Sequence, residues 1–208
     1  MAVFTPSYPL TLPTATGITT QNWGLNRVVA VTESPFTLQQ QIFEHEGSQW
    51  RCTMTLPPMK KDKAAIWLAF FMSLRGRRGT FKMGDQDRKT IQGTATGTVR
   101  VNGASQTGNQ VALDGFTASR ANVFKAGDYI QINSYVYMVI EDVSANGSGE
   151  ANVKIEPALR STIETINNDD TVVYTNTTTI MRLDSNEFNW DTDKVSNYGI
   201  SFACSEVL

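Results

Sequence analysis

The amino-acid sequence predicts a mainly β protein: a split β-barrel or sandwich module with one α-helix packed on it, plus a small β-domain inserted in that module. Three observations carry the prediction. Trp50, Cys52, Met54 and Leu56 alternate with Arg51, Thr53 and Thr55, the period-two pattern of a half-buried strand. Tyr198, Ile200, Phe202 and Cys204 repeat that register near the end of the chain, so the two strands pair or lie on facing sheets. Between them, from about Gly93 to Tyr174, short apolar runs are divided by turn signals and carry no helical period.

Residues 1–24 hold Pro6, Pro9, Pro13 and Gly17 among threonines and read as an extended arm that stays loose or drapes over a neighbour. Residues 25–31 and 35–43 read as strands, and Glu44, His45, Glu46 and Gly47 as a turn into the Trp50 strand. Pro57 and Pro58 stop that strand, because proline brings no N–H to a ladder. A helix follows over about 62–75, where Trp67, Phe70, Phe71 and Leu74 recur at i, i+3, i+4 and i+7 and share one face. Asp62 serves as cap or first-turn acid, and Arg75 and Gly76 suit the helix end and the left-handed position beyond it. Four large apolar groups on one face must lie on a sheet. Residues 80–83 form a strand closed by Gly84 and Asp85.

Within the insert, Asn102-Gly103, Asp114-Gly115, the 125–128 turn, Asn133-Ser134 and the 146–149 loop separate strands at the spacing of a small barrel or sandwich. The domain division is therefore 92–174 for the insert and a discontinuous module of 1–91 and 175–208.

The chain of 208 residues can bury one substantial core or two small ones. Only 18% of residues are charged against 40% hydrophobic, so neutral polar groups must cover the surface, a composition that suits extensive subunit contacts. A net charge of −2 offers no reason for general nucleic-acid or membrane affinity. Cys52 and Cys204 fall on apolar strand faces and read as buried free thiols. The first twenty residues lack a basic segment followed by an apolar one, and the longest apolar run, within 64–72, is far short of a membrane span. The expectation is a soluble chain made in a cytoplasm.

The search for chemistry returns no catalytic set. His45 is the one histidine, and it sits among loop-like polar neighbours without a nucleophile in the motif. Asp184, Glu187, Asp191 and Asp193 surround Trp190, but a glycosidase needs two carboxylates facing across a cleft, which sequence proximity does not supply. No cluster has zinc-ligand, calcium-loop or phosphate-loop spacing. The expectation is no enzyme, no metal and no cofactor.

Charge is distributed unevenly. Nine of the 18 lysines and arginines fall between Lys60 and Lys89, whereas the insert is acidic. The basic band lacks interleaved exposed aromatics, which argues against single-strand binding. Two readings fit it equally: a solvated helix edge, or a contact between unlike faces of identical chains.

The strand, Pro57-Pro58-Met59, the helix, the stretch from Leu74 through Arg77 and Arg78 to Phe81, and Gly84-Asp85 resemble the N-terminal module of tailed-bacteriophage distal tail proteins. The ending from Tyr198 to Leu208 is similar to that module, and the stretch from Phe124 to Ile132 looks like the inserted β-domain of phage and prophage members. The resemblance implies a structural virion protein of a siphovirus-like tail tip or baseplate. It would form a homo-oligomeric ring, hexameric in the family, joining the tail tube protein to the hub protein. DNA would pass through the lumen without specific binding. It also implies an oligonucleotide/oligosaccharide-binding-like (OB-like) barrel for the insert. Arg75, Arg77, Arg78 and Lys82 are the candidate ring contacts. The alternative is a carbohydrate-binding minor tail protein at the host surface, with Tyr129, Tyr135 and Tyr137 as a stacking platform; core packing is the competing role for these rings.

Overall fold

The computed structural model describes residues 5–208, Glu46 by its backbone only. The fold is mainly β: one mixed sheet carrying one helix, and a closed six-strand antiparallel barrel inserted in the sequence. The sheet is built from β1 (Leu10–Thr11), β2 (Thr20–Glu33), β3 (Gln40–Thr55), β4 (Phe81–Met83), β11 (Thr179–Leu183), β12 (Trp190–Thr192) and β13 (Tyr198–Glu206). Its order is β1-β4-β11-β13-β3-β2, with β12 paired to the first residues of β13, 198–200, off this path.

The two alternating strands do pair: β13 runs antiparallel to β3, with Cys204 opposite Cys52 and Phe202 opposite Met54. Their even-numbered side chains lie under the helix α1 (Lys61–Leu74), which buries Ala64, Trp67, Phe70, Phe71 and Leu74 against them. Trp67, Phe70, Phe71, Phe81, Phe188 and Phe202 form a continuous aromatic cluster, with Phe71 stacked on Phe188 at 4.1 Å between ring centroids. Packing of this kind contributes beyond plain burial. Asp62 lies in the first turn of the helix, and no side chain caps its N-terminus. At the other end Arg75 itself takes the left-handed conformation (φ 54°), followed by Gly76 (φ 65°).

Two sequence expectations are corrected. The arm does not stay loose but lies on its own module: β1 pairs parallel with β4, the Tyr8 hydroxyl donates to the Ser73 carbonyl at 2.8 Å, and the Trp67 indole N–H donates to Thr16 Oγ1 at 3.1 Å. Residues 1–4 of the arm lie outside the described residues, and 20–24 belong to β2. The second correction is the turn expected at 44–47. β2 and β3 form one long hairpin whose turn spans 34–39, where the Ser34 N–H donates to the Gln39 carbonyl at 2.9 Å. The Gly47 breaker instead accompanies a shift of register between Arg27 and Val29 of β2, a bulge inside the ladder. A glycine after polar residues signals departure from regular pairing, and it does not say whether the chain reverses.

The barrel closes in the order β10-β5-β6-β9-β8-β7, from β5 (Val99–Val101), β6 (Gln110–Asp114), β7 (Tyr129–Ile132), β8 (Tyr135–Val139), β9 (Ala151–Glu156) and β10 (Thr171–Val173). Its core combines aliphatic residues, with Val99, Val101, Val111, Leu113, Ile130, Ile132, Val153 and Ile155 all fully buried, and the aromatic rings of Phe116, Phe124, Tyr135 and Tyr137. The chain enters and leaves it side by side, where Thr90 bridges Thr175 and the Asn176 N–H donates to the Lys89 carbonyl at 2.7 Å.

Candidate functional site: an exposed ribbon and a basic helix exit

Beyond Arg27 on β2 and before Ser48 on β3, the hairpin runs out as a two-stranded ribbon with both faces exposed. Directly opposed residues share a face, so Val29, Val31 and Ile42 lie together with Glu33, Gln40 and Glu44, while Ala30 and Phe43 lie on the other side with Thr32 and Gln41. Phe36 and Leu38 occupy the tip. Phe36 is 94% exposed and Ile42 64%. Among the described residues, seven of the fifteen exposed large apolar side chains belong to this ribbon, which makes it the main apolar surface of the chain. A lone two-stranded ribbon is marginal in water, and exposed apolar edges invite pairing. At its root Arg27 makes ion pairs with Glu44 (3.7 Å) and, across to the barrel, Glu156 (2.8 Å).

The second exposed feature is the helix. Its outer side carries Ala65, Ile66, Ala69 and Met72 in solvent, with Ile66 51% and Met72 55% exposed. The sequence reading used the inner stripe and missed this one, although a helix apolar on two sides is normally covered on both. Lys61 and Lys63 border the outer stripe at one end, and exposed Arg75, Arg77 and Arg78 at the other. Of the four candidate contact residues, Arg75, Arg77 and Arg78 stand together at this exit, whereas Lys82 lies on β4, also exposed, at the cleft beside the arm. The Arg77 N–H is held by the Asn186 side chain at 3.1 Å, which fixes the exit turn while its guanidinium stays in solvent.

Tyr129, Tyr135 and Tyr137 are all buried, and this favours core packing over a stacking platform. Tyr129 meets Trp50 edge-on at 5.8 Å, and the Tyr137 hydroxyl accepts from the Arg160 N–H at 3.0 Å. Burial pushes the Tyr129 phenol up to about 12, and raises those of Tyr135 and Tyr137 as well.

These tyrosines mark a junction that the sequence reading did not foresee. Arg160, after β9 of the barrel, places Nη2 2.9 Å from the Glu206 carboxylate of β13 and 2.8 Å from the Ser48 carbonyl. Glu206 also accepts from the Thr179 hydroxyl at 2.9 Å and the Trp50 N–H at 3.3 Å. Trp50 stacks on Trp23 and donates its indole N–H to the Val136 carbonyl at 2.9 Å. Burial raises the Glu206 carboxyl above the usual range, opposed by the Arg160 charge and the Thr179 and Trp50 hydrogen bonds. The barrel is thus bolted to the sheet through a buried ion pair. One signal was available: Glu206 stands in the same parity as Ile200, Phe202 and Cys204, the buried face of β13.

His45 is exposed within the ribbon. Asp184 accepts from the Ser205 hydroxyl at 2.6 Å and is exposed. Glu187 and Asp191, with Trp190 and Phe188, line a groove of about 650 Å3 on the sheet. A larger cleft of about 890 Å3 lies between the arm and β4, bordered by Trp67, Lys82, Asp85 and Asp87. Among the described residues no group of three or more His, Cys, Asp or Glu side chains could hold a metal ion, and no helix is long and apolar enough to cross a membrane.

Fold and surface together define a β-module with an inserted barrel and an unpartnered apolar ribbon. No protein-family model matches the sequence, and no curated protein matches it significantly.

Proposed function

We propose that this protein is a structural subunit that assembles with copies of itself into a ring, at the tip of a phage tail between the tube and the hub. The observation that carries the reading is the ribbon. Every large core side chain of the sheet and barrel is already covered within the chain, yet Val29, Val31, Phe36, Ile42 and Phe43 stand in water on a hairpin that cannot shield them. Their burial requires another chain. The phage setting, the tube and hub partners and sixfold symmetry rest on the resemblance in the helix, its Arg-rich exit and the C-terminal strand.

Mass measurement in solution at physiological salt tests the reading. Assembly gives a species several times the 23.0 kDa chain, visible as rings by electron microscopy. A strictly monomeric sample, even with tail partners present, would sink it.

The carbohydrate-binding alternative survives in altered form: Trp190, 43% exposed beside Glu187 and Asp191 in the sheet groove, offers a sugar a ring face that the buried tyrosines do not. Binding on a glycan array that vanishes with Trp190→Ala supports it, and an array without hits disposes of it.

A further inference from the structure

Building on the ring reading, we propose that the Val29–Val31–Ile42 face of the ribbon docks on the outer face of α1 of the next copy. Both surfaces are apolar stripes of matching kind. The ribbon presents three β-branched side chains on one face, and the helix presents Ile66 and Met72 separated by Ala65 and Ala69. The alanines leave a low lane along the helix into which a strand's side chains can settle.

Charge fixes the pairing. On the ribbon, Glu33 and Glu44 flank the apolar face. On the helix, Lys61 and Lys63, with exposed Asp62 between them, stand at one end of the stripe and Arg75, Arg77 and Arg78 at the other, so the arginine end carries the stronger positive charge. Among the described residues, neither Arg77, Arg78, Lys61 nor Lys63 forms an ion pair within its own chain, and Glu33 forms none either. Two acidic ribbons meeting face to face would set like charges together, and two basic helix exits would do the same. Ribbon on helix joins opposite signs and covers both apolar stripes at once.

The geometry then has a topological consequence. The two surfaces are different parts of one chain, so the contact is heterologous, and each copy offers one of each. Repetition of such a contact closes into a ring when the rotation between copies divides a full turn. The basic band and the acidic ribbon become the two halves of a single interface.

Complementation tests this with full-length chains. One variant carries Val31→Asp and Ile42→Asp on the ribbon; the other carries Ile66→Asp and Met72→Asp on the helix. All four positions are exposed, so an unchanged thermal melt verifies the fold. Each variant alone loses the ring, with association weakened roughly thirtyfold or more, as for hot-spot residues. Mixed in equal amounts, they retain one intact ribbon and one intact helix face between them and form a one-to-one dimer of about 46 kDa, twice the 23.0 kDa chain. A helix variant that still forms wild-type rings overturns the docking while leaving the ring reading standing. Variants that each fall to monomers but fail to dimerise on mixing also overturn it. A monomeric wild type removes both.

Discussion

Removing the Glu206 carboxylate should be the costliest polar substitution in the molecule, and its cost should exceed that of removing Arg160. In Glu206→Ala, the Arg160 guanidinium stays buried with only Ser48 as a side-chain or carbonyl partner, and its Nε already lacks one. Arginine cannot shed its proton, so the charge stays uncompensated, at a cost of about 3–5 kcal/mol. For a chain of this size that lowers the Tm by roughly 6–20 °C. In Arg160→Ala, by contrast, Glu206 keeps the Thr179 hydroxyl and the Trp50 N–H, and burial already lifts its pKa. It can take up a proton and become neutral, so the loss is smaller, about 2–3 kcal/mol, and shrinks as the pH falls. The sign follows from the raised value: the folded state holds this proton longer than the unfolded chain. The group's contribution is therefore fully present below the ordinary value of 4.5 and is lost as the pH rises through the raised one. Urea unfolding at pH 8 and pH 5, followed by tryptophan fluorescence, measures all of this, because Trp50 sits against Glu206. Replacing both partners by Met and Leu should recover most of the loss. A Glu206→Ala penalty below about 1 kcal/mol, or an Arg160→Ala penalty equal at the two pH values, would refute the reasoning.

Cys52 and Cys204 lie opposite one another, both buried, and the hydrogen bond that holds the Cys204 thiol to Cys52, together with burial, pushes that thiol well up. Both should resist a thiol reagent in the native protein and react once urea unfolds it; rapid native labelling would contradict the packing. Absorbance titration should show Tyr129 and Tyr137 silent at pH 10 while the fold persists, with stability falling as the pH rises from 10 towards about 12, since the raised phenols ionise more readily in the unfolded chain. Native-state ionisation of all the tyrosines near pH 10 would count against it. Gly84→Ala should destabilise the protein by about 2 kcal/mol or more, because its Cβ would meet the Thr177 carbonyl; a melt unchanged from wild type would show that the backbone around Gly84 and Thr177 is less tightly packed than described.

Much of the fold could be read directly from residue order. The aromatic face of α1, the shared alternation of the strands that carry Cys52 and Cys204, and a barrel or sandwich cut by Asn-Gly and Asp-Gly turns all follow from local periodicity, which short-range sterics impose, whereas the pairing of those two strands does not. The Arg-rich helix exit was also visible, because charge needs no fold to be counted. The ribbon was not, because Gly47 carried two meanings, turn and bulge, and local sequence cannot choose between them.

Alternation alone determined that Met54, Cys204 and Glu206 point one way and Thr53, Ala203 and Ser205 the other. It could not say what each face meets. Val29, Val31 and Ile42 share one strand face just as Cys52 and Met54 do, yet the first group stands in water and the second lies beneath a helix. Only the tertiary structure separates them, since burial depends on which elements are packed above a strand. The same holds for Glu206: its parity placed it inside, and the arrival of Arg160 from beyond β9 of the barrel decided that a charge could remain there.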